Sequence, residues 1–413
     1  LNLDKANQRR KYVLLVGDGM ADYPLAELDG RTVLQAAETP NMDRIAAGKL
    51  GLVKTIPHGM DPGSDVASLS LLGYDPRLYH TGRAPLEAAS LGVSLTKKDV
   101  AFRMNLVTLE KRSDDEIIMV SHSSGDITKE EGHLIVESLR QEMASPGKAI
   151  YPGVAYRHLL VWDEGPEEAP TIPPHDVLGQ NMASYLHGAD GNPIPALIRS
   201  SWGILEGHPI NGQRRTAGKN EANSIWLWGQ GRAPALPRFR DRFNLAGGVI
   251  SAVDLLKGIG LYAGFHPIHV EGATGFLDTN YQGKAENALR GLEAYDFMFV
   301  HVEAPDEASH NGSIKDKLKA IQDFDGNVVG TILEGLRVFA DYRVMVVSDH
   351  LTPIVKRTHT ADPTPFAWAS KTQLEGSPCK ASFSEVAARE SGLHIEKGHE
   401  LITSFLFDNA PDP

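Results

Sequence analysis

The sequence predicts an α/β fold: a doubly wound, mostly parallel sheet into which a smaller α+β domain is inserted. Three observations carry this expectation. Short apolar, β-branched runs near both ends of the chain stop abruptly at acidic residues. Helical patterning separates those runs, and strands alternating with helices build parallel sheets covered on both faces. Between about Leu78 and Leu245 the character changes, with loop-rich segments such as Pro170-Thr-Ile-Pro-Pro-His175 and Gly229-Gln-Gly-Arg-Ala-Pro-Ala-Leu-Pro237.

Lys11 to Val16 reads as a buried strand that runs into the tight loop Gly17-Asp18-Gly19. Thr39-Pro-Asn-Met-Asp-Arg-Ile-Ala-Ala opens like a helix, with a capping residue followed by proline. Late in the chain, Asp296 to Val302 is a strand ending at Glu303-Ala-Pro-Asp306, and Tyr342 to Ser348 is one ending at Asp349-His350. Lys315 to Phe339, between them, carries apolar residues at helical spacing. These segments assign 1-77 and 246-413 to one discontinuous core domain and 78-245 to the insert. Inside the insert, Val100 to Leu109, Glu116 to Val120 and Tyr156 to Trp162 are the expected strands. No internal repeat is visible.

A chain of 413 residues with 41% hydrophobic and 23% charged residues has enough apolar material for one large or two ordinary domains. Its 53 acidic residues outnumber 41 basic ones, and the net charge of -12 gives no attraction to nucleic acid or to a membrane of anionic lipid. Any phosphate site must then be locally basic or built on metal ions. The single cysteine, Cys379, excludes an intrachain disulfide and fits a reducing compartment. The polar start and the short first apolar run carry no signal-peptide or membrane pattern, so the expected location is cytoplasmic. Homo-oligomer formation stays open.

In open parallel sheets, ligands gather beyond the carboxyl ends of the strands. Asp18, Asp306 and the Asp349-His350 pair all fall where predicted strands end, although they lie hundreds of residues apart. Each alone would pass for a helix cap or turn former. Asp306 and His310 are four residues apart, which on a helix places both on one face, suited to gripping one ion. His359 follows Asp349-His350 at loop distance and offers a further imidazole nitrogen. Ser64 in Pro62-Gly-Ser-Asp65 is the nucleophile candidate. A glycine precedes it, an apolar stretch follows, and its hydroxyl would need a base or metal ion to become reactive. The competing account of Ser64 is a plain helix N-cap.

Val16-Gly-Asp-Gly-Met-Ala-Asp22, Thr39-Pro-Asn-Met-Asp43, Pro62-Gly-Ser-Asp65, Tyr79-His-Thr-Gly-Arg-Ala-Pro-Leu-Glu-Ala88 and Asp349-His350 with Thr358-His-Thr-Ala-Asp-Pro363 resemble archaeal-type cofactor-independent phosphoglycerate mutases of the alkaline phosphatase superfamily. Ser251-Ala-Val-Asp-Leu-Leu-Lys-Gly-Ile-Gly260 and Glu271-Gly-Ala-Thr-Gly-Phe-Leu-Asp-Thr-Asn280 extend the resemblance over nearly the whole chain. The resemblance implies an alkaline phosphatase-like core with a substrate-binding cap, and an enzyme of glycolysis that interconverts 3-phosphoglycerate and 2-phosphoglycerate without 2,3-bisphosphoglycerate. It implies two divalent ions, manganese as the usual choice with zinc, cobalt or magnesium as alternatives. One ion would be held by Asp18, Ser64, Asp349 and His350, the other by Asp306, His310 and His359. Ser64 would carry the phosphoryl group as a phosphoserine. The small phosphorylated hydroxy acid would be held by Arg83, Arg232, Lys257, His175 and Asp176, with Arg103 and Arg157 as further candidates.

One segment departs from the family pattern. Where archaeal mutases carry a run close to Asp-Arg-Arg-Ala-Gly-Arg, this chain has Ser121-His-Ser-Ser-Gly-Asp126. Relatives with such a segment, and with a run like Asn223-Ser-Ile-Trp226, have been linked to homoserine kinase, in which His122 and Asp126 would suit a zwitterionic substrate. A phosphatase or phosphodiesterase on the same metal core is the other alternative.

Overall fold

The computed structural model describes residues 9–143, 145–188, 191–376 and 382–408. Cys379 lies outside the described residues. Two units emerge: residues 1–80 with 235–413, and residues 81–234. In chain order, β1 (Lys11–Gly17) and β2 (Lys49–Val53) belong to the first unit. The second unit supplies β3 (Asp99–Ser113), β4 (Glu116–Ser121), β5 (Lys148–Val154), β6 (Arg157–Asp163) and β7 (Ser224–Gly231). The chain then returns with β8 (Gly247–Ile250), β9 (His266–Pro267), β10 (Phe297–Val302), β11 (Tyr342–Ser348), β12 (Thr364–Ser370) and β13 (His394–Ile395).

The first unit is built on an eight-stranded sheet in the order β13-β2-β12-β11-β1-β10-β8-β9. β1 lies between β10 and β11 and runs parallel to both, and β12 pairs antiparallel with β11 and β2. This is the mostly parallel sheet expected from continuous apolar strands such as Tyr-Val-Leu-Leu-Val, all buried. In its register, Gly17 stands opposite Val302 on one side and Ser348 on the other. Three strands therefore end at one level, and the residues that continue from them open on the same edge of the sheet.

Two local expectations meet a different arrangement. Thr39 precedes the helix Pro40–Ala46 but makes no cap hydrogen bond to its backbone. Asp325 does that work instead, accepting from the N–H groups of Asn41 (3.2 Å) and Met42 (2.7 Å). Asp325 gets there because the helical stretch after Lys315 is not uniform: an α-helix, Ile314–Asp323, widens into a π-turn, Phe324–Gly330, before α-geometry resumes at Thr331–Gly335. Residues 235–245, expected in the insert, pack with the first unit, where Phe239 lies 4.9 Å from Phe265 and 4.8 Å from Phe297 between ring centres.

The second unit is an α+β arrangement. β3 pairs antiparallel with β4, β6 and β7, and β5 completes the sheet beside β6. Ile135, Val136 and Leu139 of the helix Lys129–Met143 and Ile198 and Leu205 of Pro193–Glu206 share a buried core with Phe102, Leu106 and Trp226 of the strands. Among the described residues no helix is long and apolar enough to cross a membrane.

Candidate active site

The level strand ends of β1, β10 and β11 assemble the first group of side chains. Asp18 follows β1 directly, Asp349 and His350 follow β11, and all three are buried. Ser64 is not a cap: Gly63 takes that position, and Ser64 opens the helix Ser64–Leu71. Its hydroxyl lies 3.3 Å from Asp18 Oδ2 and 3.3 Å from His350 Nε2. Gly19, at φ +57°, keeps this turn tight. A Cβ there would stand 2.5 Å from the Thr352 hydroxyl and 2.6 Å from Asp306 Oδ1.

Asp306 comes from the turn after β10, on the helix Ala304–His310, and the expected i, i+4 pair closes with Asp306 Oδ2 at 3.1 Å from His310 Nε2. His359 joins them, its Nε2 3.0 Å from His310 Nε2 and 3.4 Å from Asp306 Oδ1. Both imidazoles are oriented from behind. His310 Nδ1 is 2.9 Å from the carbonyl of Arg357 and His359 Nδ1 is 3.3 Å from that of Pro62. A carbonyl only accepts, so each Nδ1 carries a proton, and each Nε2 is turned toward Asp306.

The donors suit cations. Asp349 Oδ1 accepts from the N–H groups of Gly19 (3.0 Å) and His350 (2.9 Å), which leaves Oδ2 buried without a hydrogen-bond partner. Asp18 Oδ2 is engaged, whereas Asp18 Oδ1 is buried and unpartnered. Asp349 Oδ2 and Asp18 Oδ1, the two orphan oxygens, lie 3.3 and 3.4 Å from His350 Nε2. Asp18, Asp349 and His350 form one group with metal-ligand spacing, and Asp306, His350 and His359 form another. Burial, then the carboxylates of Asp349 and Asp306, push the Asp18 carboxyl well above the usual range. Burial acts the same way on Asp306, but hydrogen bonds from His310 and His359 overcome it and hold that carboxyl low. The bond to Asp306 in turn raises His310 to about 9. Buried carboxylates that press one another toward protonation are the surroundings a divalent ion neutralises.

Four further buried residues around this centre are not among the expected ones. His301, inside β10, places Nε2 2.9 Å from Asp18 Oδ2, with Ser251 Oγ 3.3 Å from its Nδ1. Lys284 donates to the His301 carbonyl at 3.2 Å, and burial lowers its pKa to about 8. Thr352 donates to Asp306 Oδ1 at 2.5 Å. Lys317 pairs with Asp22 at 2.8 Å with both side chains fully buried, and its ammonium also reaches the carbonyls of Ala21 and Thr352, tying the loops after β1 and β11 together. A histidine interrupting the apolar run Phe-Met-Phe-Val-His-Val is the one available signal.

The candidate substrate residues fall in both units. Lys257, in the first, pairs with Asp254 at 3.1 Å. In the second, Arg83 precedes the helix Ala84–Ser90. Arg232 is engaged by its own unit: Nε meets Glu167 at 2.6 Å and Nη1 meets the carbonyls of Lys97 and Lys98. His175 packs edge-on to Trp228, 5.3 Å between ring centres, and Asp176 lies 3.5 Å from His175. Arg103 lies over the same indole at 4.1 Å and pairs with Glu87 at 3.1 Å, yet its Nε is buried without a partner. Burial lowers the Arg103 pKa, and the charges of Arg83 and Arg157 press in the same direction. In the Ser121–Asp126 loop, Asp126 Oδ1 accepts from Ser123 at 2.9 Å, and buried Arg214 donates to the Ser124 carbonyl at 2.5 Å.

Known proteins share this arrangement of chain. The family model described as 2,3-bisphosphoglycerate-independent phosphoglycerate mutase matches residues 46–211. A protein of that name from Methanosarcina barkeri is 50% identical over 396 residues, covering 95% of this chain and 98% of its own length. Among solved structures, the PH0037 protein from Pyrococcus horikoshii superposes with a TM-score of 0.78 at 32% identity, covering 96% of this chain and 97% of that one. The cofactor-independent phosphoglycerate mutase from Thermoplasma acidophilum shares the fold, with a TM-score of 0.62 at 24% identity over 96% of this chain and 99% of that one.

Proposed function

This chain belongs to the 2,3-bisphosphoglycerate-independent phosphoglycerate mutase family, and from that premise we propose that it interconverts 3-phosphoglycerate and 2-phosphoglycerate through a phosphoserine on Ser64. The observation that carries this reading is that the Ser64 hydroxyl and the unpartnered oxygens of Asp18 and Asp349 all lie within 3.4 Å of His350 Nε2, at the level ends of β1 and β11. Two divalent ions, manganese by preference, held by Asp18, Ser64, Asp349 and His350 and by Asp306, His310 and His359, would supply activation of the hydroxyl and neutralisation of phosphoryl charge.

The residues themselves do the rest. Asp18 Oδ2, 3.3 Å from the Ser64 hydroxyl, is the acceptor for its proton. Ser64 heads an eight-residue helix, whose N-terminal N–H groups favour the negative charge that builds on the transferred group. The new Ser64 O–P bond forms as the substrate P–O bond breaks, and the freed glycerate oxygen takes a proton. Attack by the other glycerate hydroxyl on the same phosphorus reverses these steps and yields the isomer. Arg83, Arg103, Lys257 and His175 are the groups we assign to the substrate's anionic ends, with Arg103 backed by Trp228 in the manner that suits a planar carboxylate. Arg232 and Asp176 stay in the proposal beside them.

An enolase-coupled assay of manganese-loaded protein with 3-phosphoglycerate, run beside ATP plus homoserine, tests this. Turnover with 3-phosphoglycerate that falls by about a thousandfold or more in Ser64→Ala is expected. Phosphohomoserine formation without mutase turnover would overturn the assignment and leave the metal core standing.

A further inference from the structure

Three imidazoles turn Nε2 toward the candidate metal centre, and each must keep its proton on Nδ1 to do so. For His310 and His359 the backbone carbonyls of Arg357 and Pro62 enforce this. His350 is different: its Nδ1 faces a side chain, the Thr352 hydroxyl, at 3.2 Å. A hydroxyl can donate or accept, so by itself it leaves the His350 tautomer undecided. Asp306 decides it. Thr352 gives its only hydroxyl proton to Asp306 Oδ1 at 2.5 Å, and its remaining lone pair is then the acceptor for His350 Nδ1–H.

We propose that Thr352 is a positioning residue that couples the two ligand groups, holding His350 Nε2 toward Asp18, Asp349 and Ser64 only while Asp306 accepts the Thr352 proton. Asp306 belongs to one group of ligands and His350 lies between the two, 4.2 Å from His359 between ring centres. Thr352 is itself fully buried, and removing its hydroxyl takes this partner from both His350 Nδ1 and Asp306 Oδ1. Lys317 and Gly19 fix the backbone around it: Lys317 holds the Thr352 carbonyl at 3.0 Å, and the bare Cα of Gly19 leaves room for the hydroxyl. The inference rests on the two-ion reading of the site.

Manganese alone is the probe: metal-free protein is titrated calorimetrically with Mn²⁺, comparing wild type with Thr352→Val, Thr352→Ala and Thr352→Ser. Val keeps the shape without the hydroxyl, and Ser and Ala differ from each other by that hydroxyl. Wild type is expected to bind two ions. Val and Ala should weaken both by about 10- to 100-fold, and Ser should stay within about threefold of wild type. Equal affinities in Ser and Ala, or wild-type affinities in Val, would overturn the coupling. Should Val not fold, the Ser and Ala pair decides. A wild-type protein that binds fewer than two ions would instead remove the two-ion reading beneath it.

Discussion

His301 Nε2 lies 2.9 Å from Asp18 Oδ2, deep in the sheet, and thereby determines which oxygen of that carboxylate remains for other partners. The Asp18 carboxylate accepts, so His301 Nε2 donates to it, and the Ser251 hydroxyl, which accepts from the Val253 N–H at 3.0 Å, gives its proton to His301 Nδ1. Replacing His301 by Ala frees Asp18 to turn and should cost about 10- to 100-fold in metal affinity. His301→Gln, which can still donate, should recover part of it. Metal titration of both variants checks this, and equal loss in both would remove the hydrogen bond from the account.

Lys317 and Asp22 form a fully buried pair, and the Lys317 ammonium is further held by carbonyls of the two loops that carry the site. Lys317→Met strands the Asp22 charge away from water. Loss of about 3–5 kcal/mol of stability is expected in denaturant titration. Lys317→Met paired with Asp22→Asn should recover much of that loss, since no lone charge then stays buried.

Burial lowers the His158 imidazole in β6 to about 3, while its Nδ1 accepts from the Gly153 N–H at 3.1 Å. An unfolded chain protonates its histidines near ~6.5. Between these values the unfolded chain binds a proton that the folded one refuses, so this contribution is complete above about 6.5 and declines toward about 3, at about 1.4 kcal/mol per pH unit. His158→Asn keeps an acceptor for Gly153 and does not titrate. Denaturant midpoints followed by tryptophan fluorescence, four of whose five sources lie in the second unit, should fall more steeply with acid in wild type than in the variant. Parallel curves would contradict the assignment.

Arg103 stacks on Trp228 and pairs with Glu87, which a lysine cannot do in the same geometry. Arg103→Lys should raise KM for 3-phosphoglycerate by ~10-fold, about 1.4 kcal/mol, with a smaller effect on kcat. Steady-state kinetics decide it; unchanged KM would move the carboxylate contact elsewhere.

The legible parts of this molecule are those where chain pattern and chemistry coincide. Asp18 and Asp349 stand out because an apolar strand cannot continue through a charge, and Asp306 with His310 because their spacing matches a helical turn. His301 and Thr352 do not, since their importance depends on which neighbour the folded chain brings beside them: for His301 the parallel register sets Val16 opposite. Lys317 and Lys284 are fully buried lysines that no motif marks: Lys317 donates to Asp22 and to carbonyls of the loops after β1 and β11, and Lys284 donates to the His301 carbonyl of β10. Thr39 reads as a cap but is displaced by Asp325, whose reach depends on a π-turn that periodicity does not distinguish from an α-helix. The aromatic cluster around Phe239 draws residues 235–245 to the first unit, a packing choice invisible in loop-like composition.

The central claim is that Ser64 carries the phosphoryl group. Manganese-loaded protein, mixed with 3-phosphoglycerate and quenched in acid within milliseconds, can be digested and its peptides weighed by mass spectrometry. The account predicts phosphate on the peptide containing Ser64, and its disappearance when Ser64→Ala is treated identically. Turnover with no phosphopeptide at any quench time, or phosphate on another residue with Ser64→Ala still active, would contradict it.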